Sequence, residues 1–161
     1  MSLIYSQSGV CWADYFFMEN RKMKKINIED FFTEDNEVSG VWFEPKIKGT
    51  PCGLEFLVTG KNTDENIAAT ERYEKKLAEL EDIKDPVEKA QKTKVADANR
   101  VAEFVKGLRV AEGYEVDFEG KKIEYSVPLI QQIFLKSPLI KNEVIKFVME
   151  TANFIKREKN A

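Results

Sequence analysis

The stretch Val105–Ile155, VKGLRVAEGYEVDFEGKKIEYSVPLIQQIFLKSPLIKNEVIKFVMETANFI, decides the fold. Its middle alternates. Tyr114, Val116 and Phe118 take turns with Glu115, Asp117 and Glu119, and Ile123 and Tyr125 take turns with Lys122 and Glu124. A period of two with one apolar face is the signature of half-buried strands. Between the runs lies Gly120, which reaches positive φ without steric cost. The spacing therefore predicts a β-hairpin with strands near 113–118 and 121–125. Two strands alone are marginal in water, so their apolar face needs a cover.

Two helical patterns follow at once. Ser126 is placed to cap a short helix whose apolar face is Leu129, Ile130, Ile133 and Phe134. Ser137-Pro138 then restarts a helix, because serine caps and proline loses nothing at the first helical position. Ile140, Val144, Phe147, Val148, Thr151 and Phe154 recur at spacings of three and four, which predicts an amphipathic helix over 138–156.

Working upstream, Thr63 to Leu108 reads as a charged helical hairpin, 63–108. Asn62 or Thr63 caps its first helix, and Asp85-Pro86-Val87-Glu88 opens the second as a capping box with proline at the first position. Lys106-Gly107-Leu108-Arg109 reads as the end of that helix, where glycine and cations are favoured. Alanine and threonine fill many of the apolar positions of both helices, so their stripes are thin. Before the hairpin, Val38 to Ile47 and Leu54 to Thr59 read as strands (38–47 and 54–59), separated by the Gly- and Pro-rich loop Lys48–Gly53. Ile28, Phe31 and Phe32 share one face of a helical turn capped by Asn27. The expected architecture is α+β: a small antiparallel sheet packed with the helical hairpin and the C-terminal helix. The expected organisation is an N-terminal arm or extension over 1–25, a single domain over 26–156 and a tail over 157–161.

Composition excludes several function classes. The 161 residues suffice for a domain that buries roughly 70% of its unfolded surface. A net charge of −3 argues against non-specific binding of nucleic acid or anionic membrane. No apolar run approaches the ~20 residues of a membrane span, and no secretory signal is expected. The two cysteines, Cys11 and Cys52, have no partners at metal-ligand spacing, and a reduced cytoplasmic state is expected for them. There is no histidine, which removes imidazole bases, Ser-His and Cys-His nucleophiles and most zinc sites. No catalytic residue, cofactor or metal ligand is assigned.

Weaker features each have a simpler structural reading. The loop Lys46–Gly53 lacks phosphate-loop spacing, and the pairs Glu34-Asp35 and Glu81-Asp82 lack the convergent oxygens that a hard cation needs. Trp12 and Trp42 read first as core. Phe134, Leu135, Leu139 and Ile140 crowd the corner between the last two helices with more apolar surface than one short helix face can bury, and they are the candidate partner-binding residues.

The order of elements resembles the tail assembly chaperones of long-tailed, siphovirus-type bacteriophages. The resemblance runs over roughly Ile26 to Phe154. It rests on Ile28-Glu29-Asp30-Phe31-Phe32, Gly40-Val41-Trp42-Phe43-Glu44-Pro45, Leu54-Glu55-Phe56-Leu57-Val58, the charged helical middle, the Gly120-Lys121 turn and Pro138-Leu139-Ile140. The aromatic N-terminal segment around Val10–Phe17 departs from it. The resemblance implies a non-enzymatic protein of the infected host's cytoplasm that binds the tape-measure protein and helps recruit tail-tube subunits. It implies neither nucleic acid nor membrane as a partner, and self-association is compatible with it. The rival expectations are a permanent phage connector or tail component, a small phage protein that binds a host defence protein, and a carboxylate-dependent enzyme.

Overall fold

The computed structural model describes residues 23–155. Trp12, the aromatic N-terminal segment and the tail expected at 157–161 lie outside the described residues. The chain is α+β. A 3-10 turn, Ile28–Phe31, precedes α1 (Glu34–Ser39), and then come β1 (Val41–Phe43), β2 (Lys46–Ile47), β3 (Thr50–Pro51) and β4 (Leu54–Val58). Next are α2 (Asp64–Leu80), α3 (Pro86–Glu103) and β5 (Val105–Val110). The chain closes with α4 (Val127–Lys136), α5 (Pro138–Met149) and a second 3-10 turn, Thr151–Phe154.

β4 is the centre of a three-stranded antiparallel sheet with order β1-β4-β5, and β2 and β3 make a separate two-stranded hairpin. Alternation on β4 sends Leu54, Phe56 and Val58 into the core and leaves Glu55 and Leu57 on the other face. Helices α3, α4 and α5 cover the core face. Phe56 meets Phe134 at 5.5 Å, and Phe43 stacks on Phe147 at 4.2 Å, which in turn meets Phe154 edge-on at 5.9 Å. Phe104, Val101, Val105, Ile130, Val144 and Val148 complete the buried interior.

The capping signals operate as expected. Ser126, Thr63 and Asp85 each accept a backbone N–H from the first turn of α4, α2 and α3, at 3.3, 3.2 and 2.9 Å. Asn27 accepts from Glu29 N at 3.2 Å. Glu88, expected to complete a capping box, forms an ion pair with Lys92 at 2.7 Å.

Four expectations need correction. The third strand of the sheet is β5, in the span expected to end the helical hairpin, so Lys106 to Arg109 is strand and not a helix terminus. Its pairing slips between Leu57 and Val58. Lys106 is the extra residue of this bulge, and it lets both Val105 and Leu108 face inward. The strands expected at 113–118 and 121–125 do not form; only the bridge between Phe118 and Lys121 does. The turn itself is present, with Glu119 at φ 55° and Gly120 at φ 67°, both in the left-handed region that this reversal demands. Val116, Phe118 and Ile123 pack on the core as a wrap, and Tyr125 spends its hydroxyl on the Val105 carbonyl at 3.1 Å. The strand expected from Val38 begins only at Val41, because Val38 sits on α1 and Gly40 (φ 88°) ends that helix. The helix expected over 138–156 is α-helical to Met149, breaks at Glu150, whose backbone is extended (φ −89°, ψ 94°), and is followed by the 3-10 turn, where Asn153 donates to the Phe147 carbonyl at 2.9 Å.

Candidate protein-binding surfaces

Helices α4 and α5 meet at Ser137. Its N–H donates to the Ile133 carbonyl at 2.8 Å and closes α4, while its hydroxyl accepts from Ile140 N at 3.5 Å and opens α5. α4 has more apolar residues than one face can bury, and its inward positions are taken by Leu129, Ile130, Ile133 and Phe134. The four candidate corner residues therefore divide. Phe134 is 1% exposed and belongs to the core, its ring tilted against Phe56, so it cannot meet a partner. Ile140 is half-buried against the same core. Leu135 and Leu139, two residues either side of Ser137, are 44% and 60% exposed. The corner is thus a pair of leucines on two helices whose other faces are anchored. Lys136 bonds Glu119 of the turn and Lys141 bonds Asp97 of α3, which ties the corner's flanks to the rest of the molecule.

The helical hairpin carries a second surface. A groove of about 770 Å³ opens between α2 and α3. Arg100 lies over the Tyr73 ring at 4.6 Å, 3.7 Å from Asp97. Burial, and then the Asp97 charge, push the Tyr73 phenol up, so the ring is a neutral platform across the physiological range. Periodicity alone did not reveal this groove. The signal present in the sequence was the thinness of the α2 stripe, which buries only Ala69 and Leu80 among its apolar residues.

On the open face of the sheet, Trp42 is partly exposed rather than core, and the Arg109 guanidinium lies 3.9 Å from its ring centre. Arg109 also bonds Glu55, its register partner on β4. Phe31 and Phe32, on the 3-10 turn and its end, are exposed as well.

Several of the charged features assigned a structural reading are engaged. Lys106 pairs with Glu65 at 2.9 Å, and this contact holds the Glu65 carboxyl below its usual range. Glu81 pairs with Lys89 at 3.0 Å. Lys46 and Ile47 of the glycine loop form β2, which packs on α5. Among the described residues, no group of three or more Cys, Asp or Glu is placed to hold a metal ion, and no helix is long and apolar enough to cross a membrane. Burial pushes the Cys52 thiol above its ordinary value, the direction that suppresses the nucleophilic thiolate.

The buried polar groups form a clasp. Glu37, only 5% exposed, accepts from Thr33 Oγ1 at 3.1 Å and from Asn62 Nδ2 at 2.8 Å. Asn66 donates to Thr59 Oγ1 at 2.8 Å and to the Gly60 carbonyl at 2.7 Å, and Thr59 donates to the Phe104 carbonyl at 3.1 Å. These bonds join α1, the end of β4, the start of α2 and the α3–β5 junction, a structural task that accounts for their burial. Compared with protein-family models, with curated proteins and with solved structures, the chain finds no match.

Proposed function

We propose that this chain is a non-enzymatic tail assembly chaperone of a long-tailed bacteriophage, acting in the cytoplasm of the infected bacterium. On this reading it binds the tape-measure protein and helps recruit tail-tube subunits. The observation that carries the proposal is the α4–α5 corner, where Leu135 and Leu139 stand exposed on helices whose opposite faces are fixed in the core. Apolar side chains held on a rigid base suit the capture of an apolar helical or extended segment, because little ordering entropy is lost on their side of the contact. The pattern of elements that resembles the tail assembly chaperones supports the same reading.

The test is co-expression with the tape-measure protein of the same phage. The wild-type chain is expected to keep that protein soluble. Leu139→Asp places a charge in the contact and is expected to abolish the effect while the variant keeps its own helical circular dichroism. Phe134→Ala is the folding control and is expected to cost about 3–5 kcal/mol of stability. A folded Leu139→Asp that still solubilises the partner excludes the corner. A wild-type chain with no effect on solubility counts against the function.

A further inference from the structure

The groove between α2 and α3 is apolar at its floor, where Ala69, Leu80 and Val95 line it. Its sides carry the cations Arg72, Lys76, Lys92 and Arg100 against the two carboxyls Glu79 and Glu103. Most of these charges have partners. Arg72 meets Glu103 at 2.5 Å, Lys76 meets Glu79 at 3.3 Å, and Lys92 meets Glu88 at 2.7 Å. Arg100 differs. Its side chain is 20% exposed, its nearest carboxylate is Asp97 at 3.7 Å, and Asp97 is itself bonded by Lys141. One carboxylate faces two cations, so the cluster keeps a surplus positive charge. The Nε of Arg100 is buried with no hydrogen-bond partner. A guanidinium offers five donors in a fixed fork, and leaving the buried one unmet next to a low-dielectric wall is costly.

The unpartnered Nε of Arg100, the surplus positive charge of its cluster and the apolar floor describe what is missing. We propose that the groove receives an amphipathic helix of another protein, one that carries carboxylates beside its apolar stripe. The apolar stripe would cover Val95 and the floor, and a carboxylate would meet Arg100 over the Tyr73 ring. A second copy set groove against groove does not fit, since it would bring together two Arg100 clusters that each carry surplus positive charge, and like charges oppose such a contact. The proposal concerns helices other than α4 and α5, and it holds whether or not the leucine corner binds a tape-measure protein.

The probes are two synthetic helical peptides of about five turns with the same leucine stripe. One is flanked by glutamates and the other by lysines at the same positions. Binding to the whole protein is read by fluorescence anisotropy, and its location by the amide resonances of Tyr73 and Val95. The acidic peptide is expected to bind at least about tenfold more tightly than the basic one, and Arg100→Met is expected to remove most of that preference. Should Arg100→Met lose its helical signal, Val95→Lys at the exposed floor serves in its place, with weaker binding of the acidic peptide expected. Leu139→Asp is expected to leave the preference intact. The proposal is overturned by equal affinity for both peptides, or by no binding of either at about 1 mM, the weak end of specific association. It is equally overturned if the preference survives Arg100→Met, or if Leu139→Asp abolishes it.

Discussion

Gly60 shows how a single position can be dictated by its neighbour. A Cβ built on it would lie 2.2 Å from Glu37 Cγ, far inside contact distance, and the Glu37 side chain is held by two hydrogen bonds. Gly60→Ala is expected to destabilise the fold by about 1–3 kcal/mol, the usual cost of overpacking. The clash is with one side chain and includes its Cβ at 2.5 Å, so only removal of the whole side chain relieves it, and combining it with Glu37→Gly should cost less than the sum of the two, by about 1 kcal/mol or more in a urea-denaturation cycle. Strict additivity would mean that the glycine is required for another reason. Cys52 gives a pH prediction. Burial raises its thiol above the reference value of 9.0, with the Glu44 charge acting in the same direction. The folded chain therefore holds this proton more tightly than the unfolded chain does. The corresponding stability is fully present below pH 9.0 and fades as pH climbs through the folded value. In a Cys11→Ser background, alkylation by iodoacetamide should be slower in the folded protein than in urea at neutral pH, with its rate rising at higher pH than for the unfolded chain. Equal rates at every pH would contradict the burial.

Among the elements, α2 and α3 depend most on local signals. α2 buries few apolar residues, so its stability leans on Thr63 at its start and on α3 beside it. Asp85 Oδ1 accepts from Val87 N at 2.9 Å at the hairpin tip. Asp85→Ala is expected to cost about 1 kcal/mol. The loss should be local, seen as faster amide exchange in the first turn of α3 with little change in β4, where exchange requires wider unfolding. Uniform acceleration across the chain would contradict this. The caps at Ser126, Ser137 and Asp85 were legible because a cap is a local device written in two or three neighbouring residues. β5 was not. Val101, Ala102, Val105 and Leu108 continue a helical spacing through the end of α3, and the bulge at Lys106 breaks the alternation that would have marked a strand. The wrap over 113–125 misled in the opposite way. It carries a strand's alternation and a hairpin's turn, but β5 already fills the place beside β4. Its apolar residues reach the core singly, without a ladder.

At the scale of the whole molecule, a mostly helical layer covers one face of a three-stranded sheet, and the α+β class follows from counting periodic segments. What periodicity could not decide is which apolar residues stay outside. Phe134 and Ile140 fall on the periodic faces of their helices while Leu135 and Leu139 do not, yet all four crowd one corner in sequence, and tertiary packing takes the first, half-covers the last and leaves the two leucines at the surface. The proposed chaperone role rests on those leucines, and this determines where its most direct measurement should look. Hydrogen–deuterium exchange of the whole protein, alone and with the tape-measure protein of the same phage, reads the contact surface without mutation. The account predicts slowed exchange across the α4–α5 junction, in the peptides spanning 133–142, with the β2–β3 hairpin unchanged. Unaltered exchange at that junction in a complex that demonstrably forms would contradict it.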